Sequence, residues 1–488
     1  MKVPREIKNI NENLEKAGFQ SYIVGGCVRD LLRDVEPSDW DIATDAKPEK
    51  IAGIFPDNFI NNKFGTVTVI TKAKNPRLKE VEITPYRIDE EYSDKRHPDK
   101  IKWTKDIEED LSRRDFTVNA LAGRLEGRNL KIIDLFEGKK DLENKMIRAV
   151  GEPGERFNED ALRLMRAVRF AVTLGRKWKI EKKTREAIKE KASLLKFISK
   201  ERIRDELVKI IMSPFGARGI ERLRRLGLLK YIIPELEEGF GIDQNKHHIY
   251  QIYQHNLLSL NYACQKDYSL EVRLAALLHD VGKPQTKEGE GKDATFYNHE
   301  IVGAKMAYDI LNGLKFSKKE VKKITKLVRY HLFYYNVDEV GESSVRRLLR
   351  RVGEENVEDL MEVRYSDRIG SGVPKAEPYK LRHLKYMFEK INKDPISVKK
   401  LKVGGKEIMN ILNIEPGPKI GRILTVLLGE VLGDPAKNNR TFLKKEIVRL
   451  GKGMSDEEFN RTYEEAKKEI RKIKIKRDKM TKDKYWVK

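Results

Sequence analysis

A small α+β domain followed by a long, almost wholly helical remainder is the fold class that this sequence predicts. Three observations carry it. Residues 1 to about 150 mix strand-like alternation with short helical runs, and from Gly151 the apolar residues recur at helical spacing to the end. At 488 residues the chain also exceeds one ordinary core, so several domains are expected. No internal repeat of fixed period stands out.

Taken in order, a short helix before Gly18 leads into a strand at 21–24, and 28–33 reads as helix. SDWDI, at 38–42, reads as the next strand. Its period of two puts Asp39 and Asp41 on one face, with Trp40 and Ile42 on the other. Pro48 opens another helix at its first turn. FGTVTVIT (64–71) and VEIT (81–84) alternate as strands do. Glu82 brings a third carboxylate beside Asp39 and Asp41 if those strands are neighbours, and surface polarity explains it equally well. Residues 87–106, polar and mixed in charge, read as a mobile excursion. Farther on, 158–174 reads as a helix with an apolar face of Ala161, Leu164, Met165, Val168 and Val172. Asp160, Arg163, Arg166 and Arg169 recur every three residues, on a row that winds away from that core.

Composition narrows the function classes. Charged residues make up 36% of the chain, against roughly 25% in soluble proteins generally. Lys+Arg number 100 against 77 Asp+Glu, a net charge of +23 that favours a polyanionic partner such as nucleic acid. Heat adaptation enriches both signs and does not explain the imbalance. Two cysteines, Cys27 and Cys264, exclude a disulfide framework and a cysteine-based zinc site. No apolar run approaches the ~18–20 residues of a membrane span, and the polar N-terminus has no signal-peptide core. A soluble, cytoplasmic protein without a membrane partner is expected.

The residues that carry chemistry come in clusters. Neighbouring carboxylates such as Asp39 and Asp41 repel unless a cation sits between them, and hard oxygen ligands suit Mg²⁺. Gly25-Gly26 just upstream lets backbone N–H groups approach a phosphate. EEDLSRRDFTVNALA (108–122) opens with paired arginines, whose guanidinium groups suit triphosphate oxygens. Asp and Arg side chains on the 158–174 helix can match the hydrogen-bonding edge of a base. Taken singly, each cluster also suits an ordinary solvated face.

Five motifs occur in order: VGGCVRDLLR, SDWDIATDA, EEDLSRRDFTVNALA, FNEDALRLMRAVRFA and SKERIRDEL (199–207). Together they resemble the bacterial class II tRNA nucleotidyltransferase (CCA-adding enzyme) / poly(A) polymerase family. GPKIGRILTVLLGEVLGDP (417–435) resembles that family's C-terminal region. The resemblance implies a polymerase-β-like nucleotidyltransferase head at 1–150 and a helical neck at 151–215. A helical body at 216–375 and a basic, tRNA-binding helical tail at 376–488 complete the implied plan. It implies Asp39 and Asp41 as catalytic Mg²⁺ ligands, and Gly25, Gly26 and Arg29 at the triphosphate, with Asp30 beside them. Arg113, Asp115 and Asn119 would contact nucleotide, with Arg114 in the same motif. Asp160 and Arg163 would read the incoming base in place of a template, and Arg166 and Arg169 would add further nucleotide contacts. The implied substrates are tRNA, CTP and ATP.

The body carries a second pattern. RLAALLHDVGKP (273–284) sets His279 beside Asp280, with His255 one helix upstream and Asp367 far downstream. This H…HD…D order resembles the HD-domain metal-dependent phosphohydrolases, and His299 and His331 fall where two-metal members carry extra ligands. A divalent metal of unspecified identity is implied, holding a hydroxide for phosphoester attack. A helical spacer that keeps only the HD fold is the alternative. His247 and His248 read as surface or helix-start residues.

The rivals follow from the same motifs. A-adding and CC-adding enzymes and poly(A) polymerases share them, and the full-length 87–106 segment argues against CC-only addition. An HD phosphohydrolase with a non-catalytic head and a non-enzymatic RNA-binding protein are readings from other classes. The basic end, 466–488, either holds tRNA phosphates or frays in solvent. The sequence does not specify an oligomeric state.

Overall fold

Alternating apolar positions in the first 135 residues build a seven-stranded sheet, two short strand pairs stand apart from it, and helical spacing builds most of the rest. In the computed structural model, described residues are 3–61, 65–90, 100–127, 129–244, 249–392 and 398–487. They form two compact units, residues 1–332 with 359–374, and residues 333–358 with 375–488.

The head sheet contains β1 (Ser21–Val24), β2 (Asp41–Thr44), β3 (Asn58–Asn61), β4 (Thr66–Ile70), β5 (Glu80–Pro85), β8 (Leu121–Glu126) and β9 (Asn129–Asp134). Its order is β3-β4-β5-β2-β1-β8-β9. β2 runs antiparallel to β1 and parallel to β5, in a register that pairs Asp41 with Glu82. Helices α1 (Arg5–Lys16), α2 (Gly26–Leu32), α3 (Pro48–Ile54), α4 (Ile107–Ser112) and α5 (Gly138–Asn144) complete the head. Ile7, Leu14, Val28, Ile42, Ile51 and Ile83 share its main core. The strands expected at 21–24 and 81–84 are present, and the one expected at 64–71 is β4, with Phe64 outside the described residues.

Two local expectations change. Asp39 precedes β2 in a bend, and only Asp41 belongs to the strand, as its first residue. Trp40 and Ile42 are buried nevertheless and Asp39 is exposed, so the alternation survives although the ladder starts late. The 87–106 excursion is anchored at both ends by β6 (Arg87–Glu90) and β7 (Lys100–Trp103), antiparallel partners in the register Arg87↔Trp103. β-Branched and aromatic residues among its charges supply that pairing. Residues 91–99, in its middle, lie outside the described residues, as do His247 and His248.

Beyond the head the first unit is mostly helical, with one short strand at Lys179–Ile180 paired to Met146–Ile147. It continues through α6 (Pro153–Glu159), α7 (Arg163–Thr173), α8 (Lys182–Lys191), α9 (Lys200–Ile211), α10 (Gly216–Arg225) and α11 (Pro234–Glu238). Then come α12 (Ile252–Gln265), α13 (Leu270–Leu278), α14 (His299–Gly313) and α15 (Lys318–Tyr330). After α16 (Glu342–Val352), which belongs to the second unit, α17 (Val357–Gly370) returns to the first. Ala161, Leu164, Met165, Val168 and Val172 are all buried, as the helical period predicts. Each larger one contributes about 1.5–3 kcal/mol of apolar burial. The helix expected over 158–174 is broken, however. Asp160 is extended (φ −133°, ψ 104°) and its Oδ1 accepts the Leu162 N–H at 3.0 Å, a side-chain cap that competes with continuing the helix.

The second unit packs α18 (Tyr379–Asn392), α19 (Gly405–Leu412), α20 (Pro418–Gly433), α21 (Arg440–Lys452) and α22 (Asp456–Lys484) with α16. Ile408, Ile423, Leu427, Leu443 and Ile447 lie in its core. The basic end is helix through Lys484 and starts from a Ser455/Glu458 capping box. Among the described residues, no helix is long and apolar enough to cross a membrane.

Candidate functional sites

The first site is a cleft of about 870 Å³ in the first unit, and it collects residues from distant parts of the chain. Gly25, Gly26, Arg29, Asp39, Asp41, Arg113, Asp115, Asn119, Asp160, Arg163, Arg166 and Arg169 all line it. The Gly-Gly pair shapes one end. Gly25 sits at φ +77° as the cap of α2, and a Cβ there would meet Arg114 Nη1 at 2.8 Å. Only glycine lets the Arg114 guanidinium lie against the backbone beside Asp41.

Asp39, Asp41 and Glu82 form an acidic group on the same cleft wall. Burial pushes the Asp41 carboxyl up to about 6, the Asp39 charge adds to this, Arg114 opposes it, and Glu82 raises it further. Oxygen donors that repel one another, with one guanidinium near them, fit a hard divalent cation. A sign follows for pH. A carboxyl raised from its ordinary 3.8 to about 6 gives the metal-free fold stability that is fully present below pH 3.8 and lost as pH rises through about 6. A cation reverses this by binding the deprotonated form. Saturating Mg²⁺ should therefore raise the melting temperature more at pH 7.5 than at pH 5, with little shift in Asp41→Asn at either pH. Equal shifts at both pH values would dissociate the cation from Asp41.

Arginines line the same cleft, each held by an acid or amide. Arg29 pairs with Asp30 at 2.8 Å and donates to Asn119 Oδ1 at 2.7 Å, and Asn119 donates to Asp115. Arg166 donates from Nε at 2.8 Å and from Nη2 at 2.5 Å to Asp115 Oδ2. Burial opposes ionisation of Asp115, but Arg166 and Asn119 outweigh it and hold the carboxyl down to about 2. Arg113 and Arg114 share the buried Asp110. Arg163 bonds Glu159 at 2.6 Å and the Arg113 carbonyl at 2.9 Å. Asp160 receives two bonds from Arg202, at 3.2 and 2.9 Å. Such pre-paired guanidinium groups keep a polyanion site ordered before the anion arrives.

The second site lies at one end of the α12–α15 bundle. His255 comes from α12, His279 caps the C-terminus of α13, His299 opens α14, His331 caps α15, and Asp367 projects from α17. Gly282 permits this meeting, because a Cβ there would lie 2.5 Å from the Gly303 nitrogen and the His299 carbonyl. Ligand atoms fall into two groups within 4.8 Å, His255/His279/Asp367 and Asp280/His299/His331. Asp280 lies between them. Its Oδ2 is 3.3 Å from His255 and His279 Nε2, and its Oδ1 is 3.3 Å from His299 and 3.7 Å from His331.

The hydrogen bonds around this cluster fit metal ligation. His279, His299 and His331 each place Nδ1 within 2.7–2.9 Å of the carbonyl three residues back, which leaves Nε2 lone pairs facing the carboxylates. Asp280 Oδ1 is buried with no hydrogen-bond donor. Lone pairs converging on a buried, unbonded carboxylate oxygen require a cation. Without one, a proton takes part of the load. Burial opposes it, yet Asp280 and Asp367 push His255 up to about 9, while burial and the His279 charge hold His331 down to about 3.

Several residues in these sites had no role in the sequence reading. Arg202 and Glu206, four apart on α9, hold Asp160 and Arg169. Lys283, 6% exposed, bonds Asp280 Oδ2 and Gln244 at 2.7 Å. Arg364 pairs with Asp367 at 2.6 Å. An i,i+4 Arg/Glu pair in the SKERIRDEL motif, and a lysine three residues after the His-Asp pair, were the available signals.

Three family models match parts of this chain. The poly A polymerase head domain matches residues 21–148, the probable RNA and SrmB-binding site of polymerase A matches 178–240, and the HD domain matches 252–370. The A-adding tRNA nucleotidyltransferase of Deinococcus radiodurans is 34% identical over 446 residues, covering 87% of this chain and 94% of that protein. A CCA-adding enzyme of Lactococcus lactis subsp. lactis is 32% identical over 454 residues, covering 92% and 99%. The structure of the Bacillus stearothermophilus CCA-adding enzyme in complex with CTP is similar at a TM-score of 0.60 and 27% identity, covering 95% of this chain and all of that one. The Thermotoga maritima CCA-adding enzyme complexed with tRNA shares the fold at a TM-score of 0.51 and 19% identity, over 91% and 96% of the chains.

Proposed function

Because the chain belongs to the tRNA nucleotidyltransferase family, whose members include A-adding and CCA-adding enzymes, we propose that it adds CCA to tRNA 3′ ends from CTP and ATP. One observation carries this reading: the acidic group of Asp39 and Asp41 and the Asp160/Arg163 pair line one cleft. The RNA 3′-hydroxyl attacks the nucleotide α-phosphorus and pyrophosphate leaves. Asp39 and Asp41 would hold Mg²⁺, which would supply Lewis-acid charge to the reacting oxygens. Arg29, in the last turn of α2, and Arg113, Arg166 and Arg169 orient the triphosphate. Asp160 accepts from an exocyclic amino group while Arg163 donates to the adjacent ring acceptors, a pattern that cytosine and adenine share. Base binding exchanges the present Arg202 and Glu159 contacts for the base. The 1–150, 151–215, 216–375 and 376–488 segments serve as head, neck, body and tail in this reading, with basic α22 on tRNA phosphates.

A-only addition is the second reading, favoured by the 34% identity to the Deinococcus enzyme. One experiment separates the two. Supplied with CTP and ATP separately, the protein is offered tRNAs lacking all three terminal nucleotides, lacking only the terminal A, or complete. We expect two C additions to the first and one A addition to the second. Addition of A alone would replace the CCA reading, and long A tracts on the complete tRNA would indicate a poly(A) polymerase.

The second site supports an added hydrolytic activity toward phosphate esters, carried by the unbonded Asp280 Oδ1 among four imidazoles. His255, His279, Asp280, His299, His331 and Asp367 would hold divalent metal, which would supply a hydroxide for phosphoester attack. Metal content of the purified protein, followed by hydrolysis assays on His279→Ala, tests it. No retained metal and no hydrolysis would return the bundle to a structural role.

A further inference from the structure

We propose that a separate cavity, which meets the first cleft at Arg33, receives the pyrophosphate as it leaves. The inference rests on reading the first cleft as a nucleotidyltransferase centre. This cavity encloses about 510 Å³ and lies wholly within the first unit. Arg33, Lys139, Glu143 and Lys145 supply its charges. Arg33 and Leu174 line both spaces and form the seam between them.

Position selects the occupant. A Cβ on Gly25 would lie 3.7 Å from Asp41 Oδ2, so α2 starts at the acidic group, and Arg29 and then Arg33 follow at one-turn intervals. α7 runs beside it: the Arg29 guanidinium lies over the Phe170 ring at 5.5 Å, and Arg33 donates to the Leu174 carbonyl at 2.8 Å. From Arg163 to Leu174 this helix spans ~16 Å, comparable to an extended nucleoside triphosphate. With the base at Asp160 and Arg163 and the α-phosphate beside Asp41, the β- and γ-phosphates extend along the two helices toward Arg33.

Charge continues in the same direction. Asp30 pairs with Arg29 at 2.8 Å and with Arg33 at 3.1 Å, so one carboxylate serves two guanidinium groups and positive charge remains at the seam. Beyond it stand the exposed Lys139 and Lys145, against Glu143 as the single acid among the described lining residues. Leu32, Leu142 and Leu174 offer no side-chain acceptor, and apolar walls focus the field of such cations. Trp178 is 4% exposed and covered by Arg33 at 5.8 Å, so its ring is closed to a stacked base. The cavity therefore suits an inorganic polyanion rather than a nucleoside. Pyrophosphate that passes from Arg29 to Arg33 and on to the lysines meets a cation at each step, and it frees the triphosphate arginines for the next nucleotide.

The test titrates magnesium pyrophosphate calorimetrically into the full-length protein saturated with a CTP analogue whose α–β bridge is methylene. We expect one pyrophosphate to bind with the analogue in place, and Lys139→Gln combined with Lys145→Gln should weaken that binding about tenfold. Arginine at both positions should preserve it, which separates charge from folding. Neither lysine lines the first cleft, so the affinity of the double glutamine variant for the analogue should stay within about twofold of wild type. In steady state, pyrophosphate should inhibit CTP incorporation with a mixed pattern in the wild type and a nearly competitive one in the double glutamine variant. Loss of all pyrophosphate binding once the analogue is present, or unchanged affinity in that variant, overturns this inference alone. Failure of the wild-type protein to incorporate CTP or ATP overturns the nucleotidyltransferase reading beneath it.

Discussion

Asp41→Asn should lower nucleotide addition by about 10³-fold and at the same time stabilise the metal-free protein. Both effects have one source. Asp41 heads β2 with Asp39 just before it and Glu82 registered beside it on β5. Burial and these two acids raise its pKa, which measures how strongly the fold resists its charge. That resistance is worth on the order of 1 kcal/mol once screening is allowed for, and it disappears with the charge. The same charge is what the proposed cation needs. Single-turnover incorporation of A into a tRNA lacking it reads the first effect, and melting in EDTA reads the second. Affinity for tRNA should change little, because the basic surfaces are untouched. Incorporation at the wild-type rate would remove Asp41 from the catalytic role.

Much of this was legible in the sequence, for reasons that differ by residue. The inward position of Trp40 and Ile42 follows from a period of two, and burial enforces it even where the ladder has not begun. The core face of α7 follows from its apolar spacing in the same way. Neither period contains long-range pairing. That β5 lies beside β2, so that Glu82 joins the aspartates, is a fact of sheet order. The break at Asp160 was hidden because its cause is a side-chain bond to Leu162, which local periodicity does not encode. Arg202 and Glu206 were invisible as partners for a related reason: each meets a residue about forty positions away. The charged residues line one cleft, but which acid answers which arginine is set by tertiary packing alone.

Asp280→Ala should empty the second site of metal and cost about 3–5 kcal/mol of stability, while nucleotide addition at the head continues near the wild-type rate. Among the described residues, Asp280 is the one whose two oxygens face both ligand groups, so its loss removes a ligand from each. It is also the counter-charge for Lys283, which is 6% exposed and would be left with only the Gln244 amide oxygen. An uncompensated buried ammonium explains the size of the expected loss. Asp280→Asn separates the two effects. It keeps the volume and one acceptor for Lys283, so it should retain more of the stability, yet it would supply no charge to a bound cation. Metal analysis and thermal melting of both variants, beside incorporation assays at 25 °C, resolve them. The first cleft includes neither Asp280 nor any of the histidines, so a parallel fall in nucleotide addition would mean that the two sites are coupled through the helical bundle. Retention of full metal content in both variants would exclude Asp280 as a ligand, and the metal would then have to be held by the imidazoles and Asp367 alone.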